Sequence, residues 1–216
     1  MTRTFLPIAV LALAACRPDI GAPEYPNPLP IGSDTADTGG GFLPGPDPWR
    51  EGEARLSIGI FYENGASQTI PIDNLTTHFY IYENTFTLQT SSDRVEGLSS
   101  DVIVHGSNTW WGGGVTWDAA RDLSSWTTMH VWLKSSDASF DGFQLGMNGG
   151  DTEARVSATD YGFATDGAWH GLSVPLSDFT SQGANLGQVT VPLLLVAATG
   201  SQGETMSIDN LYFTAE

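Results

Sequence analysis

The sequence predicts an all-β fold, a β-sandwich jelly roll that follows a disordered tether. Three observations carry that prediction. Beyond residue 50, apolar and polar residues alternate in short runs, the period of strands. Gly, Asn, Asp and Ser separate the runs, and no ten-residue stretch carries a helical stripe. Eight of the twelve prolines fall between residues 17 and 50, so composition divides the chain into a part unable to pack a core and a part able to.

The first part has two pieces. Residues 1–15 open with Arg3 and run apolar from Phe5 to Ala15, a secretory signal too short to span a bilayer. The sole cysteine, Cys16, follows at once, which leaves no internal disulfide and no cysteine-rich zinc site. Leu13-Ala14-Ala15-Cys16 resembles the lipobox of bacterial lipoproteins. That resemblance implies cleavage before Cys16, lipidation of its thiol and a lipid anchor as the only membrane contact. With Arg17 in place of an aspartate after the cysteine, it implies an envelope protein of the outer membrane or cell surface. Residues 16–50 are then a linker. Its prolines, Gly39-Gly40-Gly41 and the run Ser33 to Thr38 favour extended conformers with no core.

Residues 51–216 read as the jelly roll. Leu56 to Tyr62 alternates, and Asn64-Gly65 predicts a two-residue hairpin with Gln68 to Ile72 as the return strand. His78 to Tyr82, Phe86 to Gln89 and Val102 to His105 are the next strands. Thr128 to Lys134 turns Met129, Val131 and Leu133 to the core, and Phe143 to Asn148 does the same with Phe143, Leu145 and Met147. Ala154 to Ser157, His170 to Leu176, Val189 to Val196 and Met206 to Phe213 complete the set.

Charge narrows the function. Eight Lys and Arg stand against 25 Asp and Glu, a formal net charge of −17. Nucleic-acid binding needs a cationic footprint and is excluded on that ground. Among enzymes, the G-x-S-x-G, H-E-x-x-H and P-loop patterns are missing, and abundant turn-like carboxylates do not single out a catalytic pair. The chain reads as non-catalytic.

A family resemblance is carried by four segments. Asp122 to Lys134, reading DLSSWTTMHVWLK, is similar to a strand of galactose-binding-like jelly rolls, many of them carbohydrate-binding modules of bacterial glycoside hydrolases. Asp166 to Phe179 (DGAWHGLSVPLSDF), Ser207 to Phe213 (SIDNLYF), and Glu96-Gly97 with Ser99-Ser100 before Trp110-Trp111 resemble further segments of those modules, in the same order. The resemblance implies non-catalytic binding of a polysaccharide or glycoconjugate ligand. The competing expectation is an envelope protein that uses the same fold structurally or adhesively against protein partners. The family also implies a structural Ca²⁺, with Asp209 as its final-strand ligand and Glu83 and Gly97 near the early segments that complete the site.

Two clusters suit a sugar, which offers an apolar C–H face to an indole and a rim of hydroxyls to amides and carboxylates. The first holds His105, Asn108, Trp110, Trp111 and Trp117. Adjacent residues of an extended chain point to opposite sides, so at most one of Trp110 and Trp111 faces a ligand cleft; the alternative is that one fills the core and the other covers an edge. The second places His130, Trp132, Gln144 and Asn148 on one sheet face, which Asp151, Glu153 and Arg155 could continue. There the alternative is a Trp132 covered by a loop. Trp169 is expected mainly in the core, and Trp126 where its turn meets the sandwich.

Overall fold

The computed structural model describes residues 54–58, 68–73 and 75–215. The signal-like segment, Cys16, the linker and Asn64-Gly65 lie outside the described residues.

Among the described residues, twelve strands build two facing sheets. In chain order they are β1 (Arg55–Ile58), β2 (Gln68–Ile70), β3 (Thr77–Ile81), β4 (Phe86–Ser91), β5 (Ser100–His105) and β6 (Trp111–Trp117). β7 (Thr128–Lys134), β8 (Gln144–Gly149), β9 (Thr152–Ser157), β10 (His170–Pro175), β11 (Val189–Ala197) and β12 (Thr205–Thr214) follow. The one α-helix among the described residues is a single turn, Ser177–Thr180.

The seven-stranded sheet runs β10-β7-β12-β1-β2. Long β12 also carries β5 and then β4, because it pairs β5 through Thr205 to Ile208 and β1 through Tyr212 to Thr214. The five-stranded sheet runs β3-β6-β11-β8-β9. Pairing among the described strands is antiparallel except between β1 and β2, where Leu56, Ser57 and Ile58 lie in register with Gln68, Thr69 and Ile70. A two-residue hairpin cannot make a parallel pair, so the hairpin expected at Asn64-Gly65 is not how these strands meet.

Alternation places the core between the sheets. Met129, Val131 and Leu133 of β7 and Leu145 and Met147 of β8 are fully buried, as their period predicts. Trp111 fills the middle. It stacks on Phe143 at 5.5 Å and meets Phe86 and Phe140 edge-on at 5.4 and 5.5 Å. Trp126 is buried where its turn packs on the sandwich, as expected.

The strand that sequence periodicity passes over is β6, WGGGVTW. Three glycines lower its strand propensity. Pairing on both sides with β3 and β11 forms it nonetheless.

Candidate functional site

The sequence brings one open surface together, the outer face of the five-stranded sheet. Register fixes its rows. One row crosses all five strands as Tyr80, Gly114, Leu194, Gly146 and Arg155. A second holds Gly112, Val196, Gln144 and Ser157, with Tyr82 just beyond the end of β3. A third carries His78 and Thr116 at one side and Asn148 and Glu153 at the other. Five strands at about 4.8 Å spacing make this face about 19 Å wide, room for a short oligosaccharide.

Glycine shapes the floor. A Cβ on Gly112 would lie 2.8 Å from Tyr82 Cδ2 and 3.3 Å from Trp110 Cζ3, so the missing side chain lets both rings settle on the sheet. Gly146 meets the Leu194 side chain in the same way, at 3.0 Å. Tyr80, 47% exposed, packs edge-on against Tyr82 with centroids 4.8 Å apart. Aromatic rings thus stand toward the β3 edge.

Polar groups stand toward the β9 edge. Gln144 and Asn148 are half-buried on β8. Glu153 and Arg155 form an ion pair on β9, with Arg155 Nε donating to Glu153 Oε1 at 2.6 Å. Burial pushes the Tyr82 hydroxyl pKa up, and Tyr80 and Glu153 add to the rise while Arg155 opposes it. At the other end of β3, His78 Nε2 lies 3.1 Å from Asp118 Oδ1.

The residues singled out from sequence divide among three environments. Trp110, Gln144 and Asn148 share this face, and Glu153 and Arg155 continue it. Trp111 does not, because its ring is the fully buried centre of the core. Its neighbour Trp110 takes the outer side, the alternation expected of adjacent strand residues. His105 is 1% exposed and lies behind Trp110, bonded to backbone carbonyls. Asn108 is half-buried in the loop before Trp110.

His130 and Trp132 lie on the opposite side of the sandwich, which corrects the second cluster. β7 and β8 each turn an apolar row inward, but they belong to opposing sheets, so their outer rows face away from each other. There His130 stacks on Tyr212 at 4.7 Å and sits 3.0 Å from both Ser173 Oγ and Thr214 Oγ1. The Arg55 guanidinium lies 4.0 Å over the Tyr212 ring, and both residues are buried. The Trp132 indole covers Gly171, where a Cβ would come within 2.5 Å of it. Trp169 is half-buried rather than in the core, and its Nε1 donates to Asp93 Oδ1 at 3.1 Å. Lys134 Nζ donates to the other oxygen of Asp93 and is the main reason that carboxyl's pKa is lowered.

The residues expected to hold calcium do not fit that role. Asp209 Oδ2 accepts from the amides of Val95 and Glu96 at 2.7 and 3.0 Å, and Oδ1 from that of Asn210 at 2.8 Å. The Gly97 carbonyl accepts from Arg94 Nε at 2.7 Å, which sets a cation where calcium would need open oxygen. Glu83 is exposed in the turn Tyr82–Asn84. Among the described residues no cluster of three or more His, Cys, Asp or Glu is arranged to hold a metal.

Sequence reasoning missed Tyr80 and Tyr82. Their signal was present in the alternation of His78, Tyr80 and Tyr82 against Phe79 and Ile81, which puts both tyrosines on one side.

Comparison with known proteins adds independent information. The model of the family described as carbohydrate binding domain 30 matches residues 49–215. No curated protein matches the chain significantly. Among solved structures, a family 30 carbohydrate-binding module aligns with 16% identity and a TM-score of 0.51, over 64% of this chain and 77% of its own. The family 30 module of a cellulosomal cellulase of Clostridium thermocellum aligns with 17% identity and a TM-score of 0.49, over 64% and 86%. A family 11 module from the same organism, in complex with a β-1,3-1,4-mixed-linked tetrasaccharide, aligns with 16% identity and a TM-score of 0.46, over 65% and 89%.

Proposed function

The chain belongs to the carbohydrate binding domain 30 family, and from that premise we propose that it binds a neutral polysaccharide on the outer face of its five-stranded sheet. The domain is a non-catalytic carbohydrate-binding module. The observation that carries the choice of face is its construction. Rings of Tyr80, Tyr82 and Trp110 lie at one side of a glycine-lined floor, with Gln144, Asn148, Glu153 and Arg155 at the other.

Each part has a chemical task. The rings cover the C–H faces of pyranoses. The amides and the ion pair meet hydroxyls. Asn148 Oδ1 is buried with no hydrogen-bond donor among the described residues. The formal net charge of −17 repels uronate-bearing or sulfated glycans, which is why the ligand is taken to be neutral.

The anchor is part of the same reading. Cys16, the only cysteine, sits where lipidation would fasten the chain to the envelope of a bacterium, with residues 16–50 as the tether. A module so held captures glycans at the cell boundary. A Cys16→Ser variant should leave the membrane fraction and lose labelling by radioactive palmitate. Retention of both would refute the anchor. Binding itself is tested by retention on insoluble β-glucans and by calorimetry with the β-1,3-1,4-linked tetrasaccharide. A Trp110→Ala variant that stays folded should bind at least tenfold more weakly. Full binding by that variant would move the site off this face.

A further inference from the structure

The backbone of Trp110 meets a buried side chain behind it. The residue is His105, the last of β5, whose ring is 1% exposed. Its Nε2 lies 3.3 Å from the Trp110 carbonyl oxygen and its Nδ1 lies 3.0 Å from the Ser201 carbonyl oxygen. Both partners are carbonyls, which only accept, so each bond requires the ring nitrogen to donate. A neutral imidazole has one N–H and makes one of these bonds at a time. The imidazolium makes both.

The surroundings fix the ring in that place. Gly200 lies so close that a Cβ there would come within 2.5 Å of the imidazole. The His105 amide donates to the Glu204 carbonyl and its own carbonyl accepts from the Gly203 amide, both at 2.9 Å. The following amide, of Gly106, donates to the Thr85 carbonyl at 2.8 Å. Phe86 pairs with His105 from β4. Phe86, Thr85, Gly200, Ser201 and Trp110 do not ionise. The Glu204 carboxylate accepts from Ser139 Oγ and the Ser201 amide.

We propose that His105 is a positioning residue for glycan binding: through its Nε2 it sets the backbone of Trp110, and so the indole over Gly112. The proposal rests on the binding face assigned above. Its two bonds have different consequences. The one to Ser201 ties β5 to the loop before β12 and serves stability. The one to Trp110 serves binding.

Amide side chains separate the two. In His105→Asn the amide nitrogen lies near the place of Nδ1, and in His105→Gln near that of Nε2. Calorimetry with the β-1,3-1,4-linked tetrasaccharide and thermal melts, both on the full chain, read the outcome. His105→Gln should bind within about threefold of the parent, and His105→Asn about tenfold more weakly while it regains more of the melting temperature. Equal affinities for the Asn and Gln variants would overturn the proposal. The comparison does not depend on His105→Ala folding. Trp110→Ala serves as the control: if it binds as the parent does, the binding face is wrong whatever the histidine variants show.

Discussion

The two sheets turn tryptophans outward to different ends. On the five-stranded sheet, Trp110 shares Gly112 with Tyr82, and the row beside them holds Gly114 and Gly146. The rings there border a floor of glycines with Leu194 and Val196 between them. On the seven-stranded sheet, the outer row of β7 is consumed by neighbours. His130 is stacked on Tyr212 and flanked by Ser173 and Thr214, Arg55 lies over Tyr212, and Trp132 fills the space above Gly171. An aromatic residue on a strand thus takes its role from what the adjacent strands present to it. On the five-stranded sheet the rings of Tyr82 and Trp110 rest on Gly112 with Tyr80 exposed beside them, whereas on the seven-stranded sheet Tyr212 and Arg55 are buried.

The sharpest way to break this contrast is paired substitution. Removing the platform with Tyr82→Ala and Trp110→Ala together should weaken tetrasaccharide binding by about a hundredfold, with a modest change in melting temperature. Trp132→Ala should do the reverse, leaving affinity within about twofold and lowering the melting temperature by several degrees, because it empties a packed site. Gly112→Ala is milder. It forces only the ends of two side chains to shift, so calorimetry should read a several-fold loss from a stable protein.

The lock between β12 and the loop after β4 comes next in size. Asp209 satisfies three amides, two of them more than a hundred residues away in sequence. Asp209→Ala should cost about 3 kcal/mol in denaturant unfolding, since buried amides lose a charged acceptor. Chelation by EDTA should leave the melting temperature of the parent unchanged. A drop on chelation, restored by calcium, would show that a cation shares this site.

The smallest effect concerns pH. The Asp93 carboxyl has a lowered pKa, chiefly through its bond from Lys134 and also through that from Trp169. A group whose folded pKa is depressed adds stability that is present above its unfolded value, about 3.9, and lost as pH falls through the folded one. Melting temperatures should therefore decline in that acid range, and Asp93→Asn should flatten the decline. The pair is solvent-accessible, so the difference should be slight.

Much of this was legible in the sequence. Period-two alternation gave the inward rows of β7 and β8 and predicted that Trp110 and Trp111 part company. What alternation does not carry is which sheet a strand joins. His130 and Trp132 therefore seemed to share a face with Gln144 and Asn148, although long-range pairing sets β7 beside β12 and β8 beside β11. β6 carries no strand signal in the sequence because its three glycines lower strand propensity. Asp209 read as a cation ligand because sequence shows a carboxylate and not the amides that reach it. His105 belongs to the first cluster by sequence, but the structure buries it behind Trp110.

The central claim is that glycan binds the outer face of the five-stranded sheet. Titration of isotope-labelled protein with the β-1,3-1,4-linked tetrasaccharide, followed by backbone amide shifts, tests it most directly. The expected result is saturable change confined to β3, the Gly106 to Gly114 stretch, β8 and β9, with the amides of β7 and β10 unmoved. Changes centred on Thr128 to Lys134 and His170 to Pro175 would place the ligand on the opposite sheet and contradict the account.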